Sequence, residues 1–196
     1  FGELGSLNPM FLMPHALAAR GNEIAQGWAG SLTMGVGQFC TKPGLAIVPA
    51  GEAARTFAEA AAAALAEIDE SPMLTEGIAQ AFAAGRAHVA EIESVDELVS
   101  KTCAARSAGP QLYRTNGAAW LSQPALAEEI FGPFGLIVEV EGMTQMTALA
   151  ERLHGQLTCT LHLDEADHDS AGELASVLQR KAGRLIANGF PTGVEV

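Results

Sequence analysis

Short apolar runs bounded by glycine, proline or acidic residues alternate along the chain with alanine-rich stretches of near-helical period. Residues 10–13, 45–49, 135–140 and 157–163 are apolar or β-branched runs of strand length, as expected of strands buried on both faces. Between them, residues 16–36, 52–68, 75–91, 143–153 and 168–181 repeat apolar positions at helical spacing. In the first of these, Leu17, Ile24, Trp28, Leu32 and Val36 fall near one face. Further short strands are expected near Leu112 and Trp120 and over 184–187, set among the turn signals Ala108-Gly109-Pro110 and Thr115-Asn116-Gly117. The alternation predicts an α/β fold with a mainly parallel sheet flanked by helices.

Length and charge narrow the class. A chain of 196 residues suits one substantial domain, and 48% hydrophobic residues suffice for a packed core. With 23 acidic against 11 basic side chains the net charge is −12, and the basic residues are scattered apart from Arg180-Lys181. Such a surface argues against nucleic acid and against an anionic membrane as partner. No apolar run approaches the roughly 18 residues that would suggest a membrane span. The opening at Phe1 and the ending at Val196 suggest a piece of a longer polypeptide. Cys40, Cys103 and Cys159 are odd in number and far apart, a poor disulfide framework and a poor zinc site. The cytoplasm is the simplest setting. The five histidines show no metal spacing. Glu91, Glu93, Asp96 and Glu97 read as a solvated acidic face, and Asp164, Glu165, Asp167 and Asp169 as acids near a helix N-terminus.

Candidate chemistry starts at Cys40, which lies in Gly35-Val-Gly-Gln-Phe-Cys-Thr-Lys-Pro-Gly44 at an expected helix-to-strand junction. A thiol held between glycine-containing turns suits a nucleophile, and its own backbone N–H could face an oxyanion on the attacked carbon. A small buried turn residue fits the same pattern. Cys103 and Cys159, both in strand-like contexts, read as structural. Glu3, in Gly2-Glu-Leu-Gly-Ser-Leu-Asn-Pro9, and Glu128-Glu-Ile-Phe-Gly-Pro133 are each ordinary when taken alone.

Together and in this order, Glu-Leu-Gly with Asn-Pro, Gly-Gln-x-Cys-Thr and Glu-Glu-Ile-Phe-Gly-Pro resemble the aldehyde dehydrogenase superfamily. Glu3 and Cys40 are 37 positions apart, and Cys40 and Glu129 are 89 apart. The first interval is slightly longer than is usual in the family, which implies a small insertion. Ala182-Gly-Arg-Leu-Ile-Ala-Asn188 is similar to the strand that leads toward the family's substrate pocket. Ser6 and Leu7 stand where the family commonly has glycine and lysine. Ser6-Leu-Asn-Pro, Lys42-Pro-Gly and Asn188-Gly-Phe-Pro-Thr-Gly-Val194 are similar to the α-ketoglutaric semialdehyde (2,5-dioxovalerate) dehydrogenase branch and to related NADP-linked long-chain enzymes.

The resemblance implies that the whole of residues 1–196 is the cysteine-bearing catalytic domain, with the cofactor-binding domain largely outside it. It implies oxidation of an aldehyde, such as α-ketoglutaric semialdehyde, to an acid with NADP or NAD through a cysteine thioester. Cys40 would be the nucleophile and Glu3 the base that activates water, while Glu129, Phe131 and Gly5 would meet the cofactor. Phe39, Phe190, Pro191 and Thr192 are expected near the substrate by their closeness to the motifs. Arg20, Arg55 and Arg184 are candidates by type for a substrate carboxylate. The family's pyrophosphate turn, ribose lysine and oxyanion asparagine have no counterpart here, so these residues alone are expected to bind the cofactor weakly and to be inactive. The partner is a small-molecule aldehyde, and the whole enzyme is expected to be a homo-oligomer. An NADP-dependent long-chain aldehyde dehydrogenase, an inert isolated domain of such an enzyme and a cysteine hydrolase are the alternatives.

Overall fold

The computed structural model describes residues 5–101 and 103–191, so Glu3 and Thr192 lie outside the described residues. Strands β1 (Met10–Leu12), β2 (Leu45–Pro49), β4 (Asp96–Ser100), β6 (Gln111–Asn116), β7 (Phe134–Val140), β8 (Gln156–His162) and β9 (Ala182–Ala187) form one sheet. Its order is β4-β6-β7-β2-β1-β8-β9, with every pairing parallel except β4 with β6. A small antiparallel pair, β3 (Ser71–Pro72) with β5 (Ser107–Ala108), stands apart.

The unbroken apolar runs are explained by layers on both faces. Met10 and Leu12 of β1, with Ala46 and Val48 of β2, point at helices α1 (Pro14–Thr33) and α2 (Glu52–Ala66). Their alternates Phe11, Leu45 and Ile47 join the opposite core. That second core also takes in α3 (Glu76–Ala90), α5 (Met143–Arg152) and α6 (His168–Lys181). Period-two alternation thus loads two apolar cores rather than one core and a wet face. Trp28 of α1 stacks on Phe57 of α2 with ring centroids 5.7 Å apart.

Several sequence expectations change. Val36 continues the helical spacing, yet α1 stops at Thr33, and Gly35, Val36 and Gly37 turn left-handed with φ of 56°, 60° and 64°. Trp120 is not in a strand. It sits in α4 (Gly117–Ser122), because the Asn116 side chain accepts the Ala119 N–H and caps a helix where a turn was expected. Asp96 and Glu97 belong to edge strand β4, and Asp96 pairs with Arg114 at 2.8 Å. Asp167 is fully buried and caps a neighbouring helix. Its two carboxylate oxygens each accept an N–H from the first turn of α1, at His15 and Ala16. Cys103 lies in a loop, with its sulfur 2.9 Å from the Gly109 N–H and 3.2 Å from the Lys101 carbonyl. Cys159 is a buried residue of β8, and burial pushes its thiol up to about 12, so it stays protonated. Among the described residues no helix is long and apolar enough to cross a membrane, and no cluster of ligands could hold a metal ion.

His162 ends β8 with 1% exposure, its ring 5.3 Å from that of Phe190, and neither ring nitrogen has a hydrogen-bond partner. Burial, and secondarily the Arg20 guanidinium, push its pKa down to about 4. The unfolded chain therefore takes up a proton near pH 6.5 that the folded chain refuses until about pH 4. Stability from this group is complete above pH 6.5 and is lost as pH falls through that window. Urea unfolding of wild type and His162→Leu should show the wild type losing up to about 3 kcal/mol more between pH 7.5 and pH 4. Parallel pH profiles would contradict the assignment.

Candidate active site

The motif residues meet at the amino ends of four strands that are neighbours in the sheet, β7, β2, β1 and β8. Asn8 precedes β1, the Cys40 loop precedes β2, Glu129 to Pro133 precede β7, and Gln156 opens β8. The thiol loop leads into β2, the fourth of seven strands, and so lies at the middle of the sheet, not at its edge. Crossovers around the parallel sheet return each chain segment to the same end, which gathers loops far apart in sequence.

Cys40 and Thr41 are the central pair of a tight turn closed by the Lys42 N–H to the Phe39 carbonyl at 3.1 Å. Cys40 is exposed, whereas Thr41 and Lys42 beside it are buried. Before the turn, Gly37 packs backbone to backbone on Gly132 and Pro133, and a Cβ there would come within 2.3 Å of the Gly132 carbonyl. That contact explains the glycine and joins the thiol motif directly to Glu-Glu-Ile-Phe-Gly-Pro. After the turn, the Trp28 indole N–H donates to the Pro43 carbonyl at 2.7 Å.

Asn8 ties the first segment to this turn. Its side-chain N–H group donates to the carbonyls of Cys40 at 2.8 Å, Lys42 at 3.1 Å and Ser6 at 3.2 Å. Its side-chain oxygen accepts from the Thr158 N–H, the Thr158 hydroxyl and the Ser6 hydroxyl. Asn8 has φ of 47°, a region asparagine tolerates better than most residues. Gln156 clamps the same segment, its oxygen accepting from the N–H groups of Leu7 and Asn8 and from the Ser6 hydroxyl. The Ser6 N–H donates to Glu129 Oε2 at 3.1 Å, which brings the third motif in. A Cβ on Gly5 would stand 3.1 Å from that same oxygen. Lys42 completes the contact, with Nζ 2.8 Å from the Ile130 carbonyl. Its burial pushes the pKa down to about 8, against an opposing pull from Glu129, a shift worth about 3 kcal/mol.

A cleft of about 770 Å³ opens beside Gly5, Ser6, Glu129, Trp120 and Gln156. Phe39 is 39% exposed next to Cys40, and Phe131 is half-buried. Phe190 and Pro191 lie on α1, Phe190 against Gly27 and the Pro191 carbonyl 3.4 Å from the Ser31 hydroxyl. The chain after β9 therefore runs back along α1 toward its thiol end. Arg20 pairs with Asp164 at 2.7 Å, and it and Arg55 lie toward the carboxyl ends of the strands, away from the thiol turn. Arg184 is exposed on β9. Asn8, Gln156 and Lys42 received no site role from the sequence; the positive φ and the buried charge become visible only in three dimensions.

The mainly parallel seven-stranded sheet flanked by helices has the fold of solved aldehyde dehydrogenases. The NADP-dependent glyceraldehyde-3-phosphate dehydrogenase of Bacillus halodurans, solved with NADP, shares this fold with a TM-score of 0.81 at 18% identity, over 97% of this chain and 39% of that one. Over its whole length the chain is similar in sequence to two α-ketoglutaric semialdehyde dehydrogenases. It is 46% identical over 198 residues to alpha-ketoglutaric semialdehyde dehydrogenase 2 of Azospirillum brasilense, and 38% identical over 205 residues to the corresponding enzyme of Acinetobacter baylyi. Each match covers 100% of this chain and 38% of the relative. No family model matches.

Replacing Asn8 by Ala strands three carbonyls and places alanine at a positive φ. Urea unfolding should show a loss of about 3 kcal/mol. A change below about 0.5 kcal/mol, the range of an ordinary surface substitution, would show that Asn8 does not hold the loops together.

Proposed function

We propose that this chain supplies the nucleophile and base of an NADP- or NAD-dependent aldehyde oxidation, with a semialdehyde such as α-ketoglutaric semialdehyde as substrate. The observation that carries the reading is the exposed Cys40 turn, bonded through Asn8 to the segment after Glu3 and through Lys42 to the loop of Glu129. The names of the curated relatives support the substrate class.

The residues present fit a nicotinamide cofactor. Glu129 faces a cleft within the usual size of small-molecule sites, and the missing Cβ of Gly5 lets backbone lie against the carboxylate. The Ser6 N–H donates to Glu129 Oε2 and holds the carboxylate beside that cleft. Glu129 would accept ribose hydroxyls, with Gly5 beside it and Phe131 against the ring. Bound there, the cofactor would supply the hydride acceptor for the oxidation.

On the protein side, the Cys40 thiolate attacks the aldehyde carbon and forms a carbon–sulfur bond, leaving an oxyanion that the Cys40 backbone N–H can meet. With a nicotinamide cofactor held at Glu129 as hydride acceptor, that carbon would give up its hydride to it and remain as an acyl group on sulfur. Glu3 takes a proton from water as the water attacks the thioester, and collapse of the adduct releases the acid and the Cys40 thiolate. Phe39, Phe190, Pro191 and Thr192 would border the substrate. The same reading makes residues 1–196 the catalytic domain of a homo-oligomeric enzyme that works in the cytoplasm, a compartment suited to three unpaired cysteines.

The full-length protein should reduce NADP or NAD when given semialdehydes, and Cys40→Ser should lower the rate by about a thousandfold or more. Glu3→Gln should give one equivalent of reduced cofactor in a burst and then turn over about a hundredfold more slowly than wild type. Full activity in the Cys40→Ser protein would end the reading.

A further inference from the structure

Lys42 is held at three points, each on a different part of the site. Its N–H closes the thiol turn onto the Phe39 carbonyl, and its own carbonyl accepts from Asn8. Its side chain crosses to the loop before β7, where Nζ lies 2.8 Å from the Ile130 carbonyl and 3.5 Å from that of Phe134. Gly44 makes the passage possible, because a Cβ there would stand 3.0 Å from Nζ. The residue is 3% exposed, and the charged group facing it from that loop is Glu129.

This is a costly way to fasten two loops. An ammonium taken out of water needs more than one short carbonyl bond to repay its hydration, and burial is the first cause of its lowered pKa. A methionine of similar length would fill the same space without that cost. Packing therefore does not account for a cation here, whereas a fixed distance between two loops does.

Building on the reading above, we propose that Lys42 is a positioning residue whose ammonium, bonded to the Ile130 carbonyl, sets the spacing between the Cys40 turn and the Glu129 loop. The thiol sits two residues before this tether and the Glu129 carboxylate one residue before its acceptor, so one bond holds both. Loss of the ammonium leaves the fold standing and lets the nucleophile and the cofactor contact drift relative to each other. A displacement of about an ångström at such a site costs about a hundredfold in rate.

The test uses the full-length protein with Lys42→Met. In hydrogen exchange, amides of the 39–42 turn and of the 129–134 loop should exchange about tenfold faster together, while β1 and β8 stay protected. In kinetics, kcat should fall and KM for the nicotinamide cofactor should rise, each by about tenfold or more. A role in stability alone would lower the melting temperature and leave both constants unchanged. Both constants within about twofold of wild type, in a folded variant, would overturn the proposal. If Lys42→Met fails to fold, Lys42→Gln, whose shorter amide cannot reach the Ile130 carbonyl, is judged by the same two outcomes. If the wild-type protein reduces no cofactor with any aldehyde, the functional reading fails. The exchange data then decide the tether alone, and unchanged protection of both segments would refute it.

Discussion

The carboxamide of Asn8 is buried where its own segment, the Cys40 turn and strand β8 converge. Its two amide hydrogens serve the carbonyls of Ser6, Cys40 and Lys42, while its oxygen gathers donors from Ser6 and Thr158. Backbone carbonyls withdrawn from water cost about 1–3 kcal/mol each when unpaired, so one side chain holds the thiol turn in a single arrangement. Cys40 can then be exposed without being loose. Its carbonyl is anchored below while its side chain faces outward.

The same end of the sheet shows how the α/β architecture builds a site from distant segments. Ligands of open parallel sheets ordinarily bind at the carboxyl ends of the strands. Here the motif loops occupy the amino ends of β7, β2, β1 and β8, and the carboxyl ends hold structural contacts. Arg20 bonds Asp164, Leu163 and Asn188 there, and Asp167 caps α1 across the chain. Polar groups at one end fasten helices to the sheet. At the other end they fasten loops to one another, and the exposed thiol stands among them.

Much of the fold was legible in the sequence because hydropathy records burial. Unbroken runs such as Leu45–Pro49 mark strands covered on both sides, and the parallel sheet follows. Hydropathy was silent where another force decided. Val36 kept the helical period, but the chain turned left-handed to let Gly37 touch Gly132. The acids of β4 hid an edge strand, since solvated side chains and an exposed edge look alike in composition. Parts of the three motifs lie side by side at the amino ends of the strands, yet Asn8, Gln156 and Lys42 join them through partners 32 to 149 positions away, and no local pattern encodes such pairings.

The central claim is that one sulfur carries the acyl group. Rapid acid quenching of the full-length protein during turnover with a semialdehyde and NADP or NAD, followed by peptide mass mapping, tests it most directly. The peptide bearing Cys40 should gain the mass of the acyl group, and the Cys103 and Cys159 peptides should not. Product formation with an acyl adduct on another residue, or with none trapped on Cys40 even when Glu3 is replaced by Gln, would contradict the account.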